Sequence, residues 1–326
     1  MFGYHYQQNS MVNQQEICLW NEIDGIHEIE ARLLPGFGAN LCGLKAHGFD
    51  FLYPYPRCSD DTRHYGIPVL YPFPGIVNGC QTTFDGVKYR FPANRGNLFR
   101  HGYVMGEKFE FSTPEYSHDQ VSVRTWIEIT PQHPLYHIFP IANRLDLTFT
   151  LKPDRVIIDA VIRNLESVKR FPFGFGLHPY FNIIGPRKTV LIHVPMKKWL
   201  NPTTSELEDP ANAPADLRKP VSLDNLIIDD VWWGMDPARP QSLSYETIQK
   251  RVLVVTSDHF THSVTYCPEG AEYYCPESWS CAPNAHNLHW NGKTETAHLM
   301  ILNPGETAAC SVAYCIENIG SAKLSE

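Results

Sequence analysis

A hydrophobic period of two recurs along this chain and constrains its fold more than any other feature. Leu145, Leu147, Phe149 and Leu151 alternate with Asp146, Thr148, Thr150 and Lys152. A Pro153-Asp154 turn follows, after which Val156, Ile158, Ala160 and Ile162 resume the alternation. Successive side chains of a strand point to opposite faces, so this spacing predicts a hairpin with one apolar face. Val121, Val123, Thr125, Ile127 and Ile129 repeat the pattern, as do Val312, Tyr314 and Ile316 near the C-terminus. Runs at helical spacing are hard to find, and 26 prolines and 21 glycines punctuate short strand-like segments. With 326 residues, 43% of them hydrophobic, the chain can bury a sizeable core without disulfide or metal staples. The expectation is an all-β protein, one large antiparallel β-sandwich with residues 1–326 as a single domain. The polar, proline-rich stretch 201–220 is expected to be a long surface loop.

Several function classes are disfavoured at this level. The formal net charge is -8 and no Lys/Arg-rich block occurs, so nucleic acid and anionic membrane surfaces are poor partners and a neutral small molecule fits better. No segment has the length of a transmembrane helix, and the first twenty residues lack a basic-then-apolar signal pattern. The nine cysteines, including Cys58, are scattered and odd in number, which reads as free thiols in a cytoplasmic protein. Cys275, Cys281, His286 and His289 match no common zinc spacing, so no metal is expected. No Gly-x-Ser-x-Gly elbow, phosphate-binding loop or dinucleotide fingerprint occurs, and no cofactor is implied.

Five segments combine turn residues with reactive groups. The most informative is Phe171-Pro172-Phe173-Gly174-Phe175-Gly176-Leu177-His178-Pro179-Tyr180-Phe181. Pro179 keeps His178 out of helical backbone, and Gly174 and Gly176 let a ligand approach closely. An imidazole among aromatics suits proton transfer near neutral pH; a core histidine bonded to a backbone carbonyl is the competing reading. The run 66–75 (GIPVLYPFPG) could wall a sugar pocket or be core. In 94–103 (NRGNLFRHGY), His101 precedes a glycine, as a ligand or as a solvated loop residue. In 226–234 (LIIDDVWWG), Asp229 and Asp230 adjoin two tryptophans, which suits carbohydrate, although an aspartate in a turn also caps backbone amides. In 273–280 (YYCPESWS), Glu277 is flanked by apolar groups that would raise its pKa toward that of a useful base, unless the loop leaves it exposed.

Taken in order, these segments resemble the aldose 1-epimerase (galactose mutarotase) family over most of the chain. The resemblance is carried by Leu-Pro-Gly-Phe-Gly-Ala-Asn-Leu at 34–41, Gly-Ile-Pro at 66–68, Phe84-Asp85-Gly86 and His101-Gly102. It continues through Gly176-Leu177-His178-Pro179-Tyr180-Phe181, Asp229-Asp230, Glu277 and 302–307 (LNPGET). It implies a galactose mutarotase-like supersandwich with an open sugar cleft, and a cofactor-free isomerase that interconverts the anomers of an aldose. Glu277 would be the general base on the anomeric hydroxyl, and His178 the general acid on the ring oxygen. His101 and Asp229 would hold the sugar, with Asp230 the alternative to Asp229. The partner is then an aldose, and the protein a monomer or homodimer.

One departure stands out. Where the family carries an Asn-Arg pair after the proline-rich run, this chain reads Gly75-Ile76, with Arg95, Arg100 and Asn78 as candidate substitutes for the arginine. That departure motivates a second reading, a non-catalytic carbohydrate-binding or regulatory protein on the same fold. Ring opening moves one proton off an oxygen and another onto a second oxygen. Glu277 and His178 are therefore expected to face each other across a gap about as wide as a pyranose ring.

Overall fold

The computed structural model describes residues 1–10, 12–54 and 65–320; Cys58, one of the expected free thiols, lies outside them. Every cysteine among the described residues is a free thiol. Burial pushes Cys18, Cys281 and Cys310 up to about 12, so they stay protonated and pack as small hydrophobes.

The strands assemble where the period of two places them. Val121–Ile129, Asn143–Lys152, Arg155–Asn164, Thr307–Asn318 and Lys250–Thr256 are neighbours in a ten-stranded antiparallel sheet. The hairpin pairs Leu145 with Ile162, Leu147 with Ala160, Phe149 with Ile158 and Leu151 with Val156. All eight of these side chains are buried, each large one contributing about 1.5–3 kcal/mol of transfer free energy. Asp146, on the other face, is buried as well; Arg124 and Arg144 bond its carboxylate and hold it below its usual pKa against the opposing cost of burial.

An eight-stranded sheet packs against this one. Its order runs Leu207–Glu208, Lys198–Leu200, Ile228–Trp233, His262–Cys267, Tyr273–Trp279, Gly176–Leu177, Val69–Leu70, with Phe181–Asn182 also paired to Tyr273–Trp279. One apolar cluster joins the two sheets, with Trp232, Tyr274 and Leu177 from one and Tyr245, Val254 and Tyr314 from the other. The result is an antiparallel sandwich, extended by a five-stranded meander over Phe2–Asp50.

The prolines overstated the breaks: Pro276 lies inside Tyr273–Trp279 and Pro172 inside Phe171–Phe173, so both segments are strands. The stretch 201–220 is mostly turns, as expected, but Leu217 pins it to the core and its carbonyl accepts the Val194 N–H at 2.8 Å.

Candidate functional site

The site lies on the face of the eight-stranded sheet that turns away from the sandwich core. The ladder sets Val231 opposite Val264 and Val264 opposite Glu277; one step along, Asp229 faces Tyr266 and Tyr266 faces Cys275. Directly opposed residues share a face, so Asp229, Val231, Tyr266, Val264 and Glu277 all stand on it. Asp230 and Trp232 alternate to the other side. There Asp230 is buried and accepts the Trp199 indole N–H at 2.8 Å, and its carboxyl is raised by burial. Of the two neighbouring aspartates, only Asp229 is on the open face.

Glu277 is 1% exposed, so the competing reading of a loop glutamate open to water does not hold. Burial pushes its carboxyl well above the usual carboxylate range; the Arg100 charge and the Trp279 indole, whose N–H donates to Oε2 at 3.0 Å, oppose that rise, and Asp229 adds to it. His178 reaches the same place from the adjoining strand. Its backbone N–H donates to the Pro68 carbonyl at 3.0 Å, and its ring stacks on Tyr180 with centroids 4.6 Å apart. Its Nε2 lies 3.2 Å from Glu277 Oε1 and 3.4 Å from the Tyr180 hydroxyl.

The two groups therefore touch, which corrects the expected ring-wide gap. The physical reason is the strand register: Gly176 pairs with Trp279 and Leu177 with Ser278, so the next step of the ladder brings His178 opposite Glu277.

His101 joins this pair. It is buried, not solvated, with its ring edge-on to His178 at 5.5 Å and to Trp279 at 6.0 Å. Its backbone N–H donates to the Gly75 carbonyl at 2.8 Å, and the Gly75 backbone N–H donates to its ring Nδ1 at 3.2 Å. With Nδ1 accepting, the neutral ring carries its proton on Nε2, the form that donates to an oxygen. Two glycines make this corner possible. A Cβ on Gly102 would sit 2.0 Å from the Tyr71 carbonyl oxygen, and one on Gly75 would meet Trp279 and Pro283 at about 3 Å, with φ positive at both.

Trp279 is a site residue that the sequence reading did not single out. The signal was present: on a strand, a residue two beyond Glu277 shares its face. With Leu70, Val231, Val264 and Met105 the indole forms an apolar floor, and a Cβ on Gly176 would strike it at 2.8 Å. Among the candidate arginine substitutes, Arg95 and Asn78 are exposed, and only Arg100 is half-buried and acts on Glu277.

Among the described residues no group of His, Cys, Asp and Glu side chains forms a metal site, and His286 is bonded to the Pro172 carbonyl. No helix is long and apolar enough to cross a membrane. A cleft of about 810 Å³ lies elsewhere, between Asn182–Arg187, Asp224–Ile227 and Glu269–Glu272. Its one arginine, Arg187, is committed to the carbonyls of Leu223, Leu226 and Ala271, and no member of the Glu277 cluster lines it.

Comparison with known proteins bears on the family and the fold. Residues 30–315 match the family model described as aldose 1-epimerase. Protein LacX (chromosomal) of Lactococcus lactis subsp. lactis is 26% identical over 150 residues, which span 44% of this chain and 45% of that protein. A galactose mutarotase-like protein from Clostridium acetobutylicum superposes with a TM-score of 0.85 at 18% identity, covering 97% of this chain and 99% of the other. A galactose 1-epimerase from Lactobacillus acidophilus NCFM superposes with a TM-score of 0.75 at 15% identity, covering 98% and 99%. At these identities the structural matches establish the fold alone.

Proposed function

The chain belongs to the aldose 1-epimerase family, and from that premise we propose that it interconverts the α and β anomers of an aldose by acid/base-catalysed ring opening and reclosure. The observation that carries this reading is the contact between Glu277 and His178, 3.2 Å apart and both buried on the open sheet face. Glu277, as carboxylate, takes the proton from the anomeric hydroxyl while His178 gives one to the ring oxygen. The C1–ring oxygen bond breaks and C1 becomes the aldehyde carbon. Rotation about C1–C2 presents the other carbonyl face, and the two proton transfers reverse as the ring closes. Each transfer is worth roughly 10²–10⁴-fold. A carboxyl raised by burial is a stronger base once ionised, and His101 and Asp229 flank the pair as hydrogen-bonding groups for the sugar.

A non-catalytic sugar binder on the same scaffold is the alternative that Gly75-Ile76 raises. Such a protein gains nothing from a buried acid–base couple, which costs free energy to desolvate. Polarimetry or NMR of mutarotation over a panel of aldoses separates the two. Wild type should exceed the buffer rate on at least one sugar, and Glu277→Gln should lose at least ~10²-fold. If both match buffer on every sugar, the epimerase reading fails.

A further inference from the structure

Arg100 brings a permanent positive charge to bear on Glu277, and it is held there with unusual care. The Asn94 side chain clamps its backbone from both sides: Oδ1 accepts the Arg100 N–H at 2.9 Å, and Nδ2 donates to the Arg100 carbonyl at 3.0 Å and to the Gly102 carbonyl at 2.9 Å. Phe99–Arg100 pairs with Ile76–Val77, setting Phe99 against Val77 in the core and Arg100 directly opposite Ile76 on the other face. In a regular strand residues 100 and 101 would point to opposite sides. His101 has a φ of 63°, which breaks the alternation. Hence the His101 ring meets His178 while the Arg100 charge acts on both Glu277 and Tyr266. A non-glycine residue held in left-handed backbone beside a buried acid–base pair is where strain is retained for function.

The guanidinium itself has work left to do. Its Nε is buried with no acceptor among the described residues, and no described carboxylate forms an ion pair with it. Guanidinium carries five N–H donors and no acceptor, so leaving its buried Nε–H without an acceptor is costly unless a ligand brings an oxygen. Opposed residues on paired strands have Cβ atoms about 4.5–5.5 Å apart, so an arginine at 100 reaches the space that one at 76 would fill. Ile76, an apolar side chain, supplies no hydrogen-bond donor there.

We propose that Arg100 is a substrate-binding residue that donates to the oxygens of an aldose seated against Glu277 and His178, reaching the sugar from the strand opposite Ile76. This rests on the epimerase reading above, and Asn94 is the residue that positions it.

The test compares wild type, Arg100→Met, Arg100→Lys, Asn94→Ala and the double variant Ile76→Arg/Arg100→Met. kcat and KM are measured on an aldose that wild type accepts, and binding of the same sugars is followed by tryptophan fluorescence. A hydrogen bond to a charged group corresponds to roughly a 10–100-fold effect, so Arg100→Met should raise KM by about that factor and move kcat less. Lysine should recover only part, lacking the planar fork. The double variant should recover most of the loss, because its guanidinium starts from the opposed position, and a purely structural Arg100 would not be rescued that way. Asn94→Ala should raise KM in the same direction. Thermal melts accompany each variant, and if the methionine variant melts early the lysine and double variants decide. Arg100→Met and the lysine variant within twofold of wild type in kcat/KM overturns the inference while the epimerase reading stands. If wild type binds sugar without turning it over and Arg100→Met abolishes binding, the inference stands and the epimerase reading falls. If wild type neither binds nor converts any aldose, both fall.

Discussion

Trp279→Phe isolates one hydrogen bond to the proposed base. The indole N–H donates to Glu277 Oε2 at 3.0 Å in a setting where both residues are buried. Phenylalanine keeps most of the ring over the floor of Leu70, Val231 and Val264, so the stability cost should stay well below the ~3–5 kcal/mol of truncating a buried tryptophan to alanine. What is lost is a donor that favours the ionised carboxylate. Hydrogen bonds to charged groups contribute about 1.5–3 kcal/mol, and one pH unit corresponds to 1.36 kcal/mol, so the Glu277 pKa should rise by about 1–2 units from its already raised position. Glu277 acts as a base only when ionised, so the acid limb of kcat/KM against pH must move toward higher pH by that amount. The alkaline limb, set by the proposed acid, should stay near its wild-type position. Mutarotation rates followed by polarimetry across the pH range, corrected for the buffer rate, measure both. An acid limb that does not move, or a rate that falls equally at every pH, would refute the role of Glu277 as the titrating base.

Two further outcomes follow from the same geometry. Asp229→Ala should raise KM and leave the thermal midpoint nearly unchanged, whereas Asp230→Ala strands the buried Trp199 indole N–H and should cost ~1–3 kcal/mol in a denaturant melt with little effect on KM. His262 and His286 are buried and pushed down to about 3, chiefly by burial. Their unfolded value is near 6.5, so between pH 6.5 and 3 the unfolded chain binds protons that the fold refuses. Stability then falls with pH by ~1.4 kcal/mol per unit for each histidine. Glu277, raised in the fold, has the opposite sign, so the slope should steepen in Glu277→Gln, where the two histidines together account for ~2 kcal/mol between pH 6.5 and 5.5; urea midpoints at pH 6.5, 6.0 and 5.5 check this, and a flat profile would contradict it.

Much of this protein is legible before any folding is considered. The alternation through 121–129, 143–152 and 155–164 names both the strands and the side chains that end up in the core, because a period of two is a property of the local chain. The order of the motifs around His101, His178, Asp229 and Glu277 names the family, because each motif is a short run of neighbouring residues that can be read without the fold. The prolines misled at 172 and 276: proline removes one N–H donor but does not prevent an extended conformation, and neighbouring strands can still pair on its other groups.

Tertiary structure decided what depends on register and on contacts between distant segments. Asp229 and Asp230 are interchangeable in the sequence, and one step in the pairing with Tyr266 and Thr265 sends the first to the open face and the second into the core. That Glu277 and His178 touch, rather than straddle a sugar, follows from their lying on paired strands far apart in the chain. The missing arginine at Ile76 has the same character. Along the chain it is a gap, but across the ladder it faces Arg100, and only strand pairing brings the two positions together.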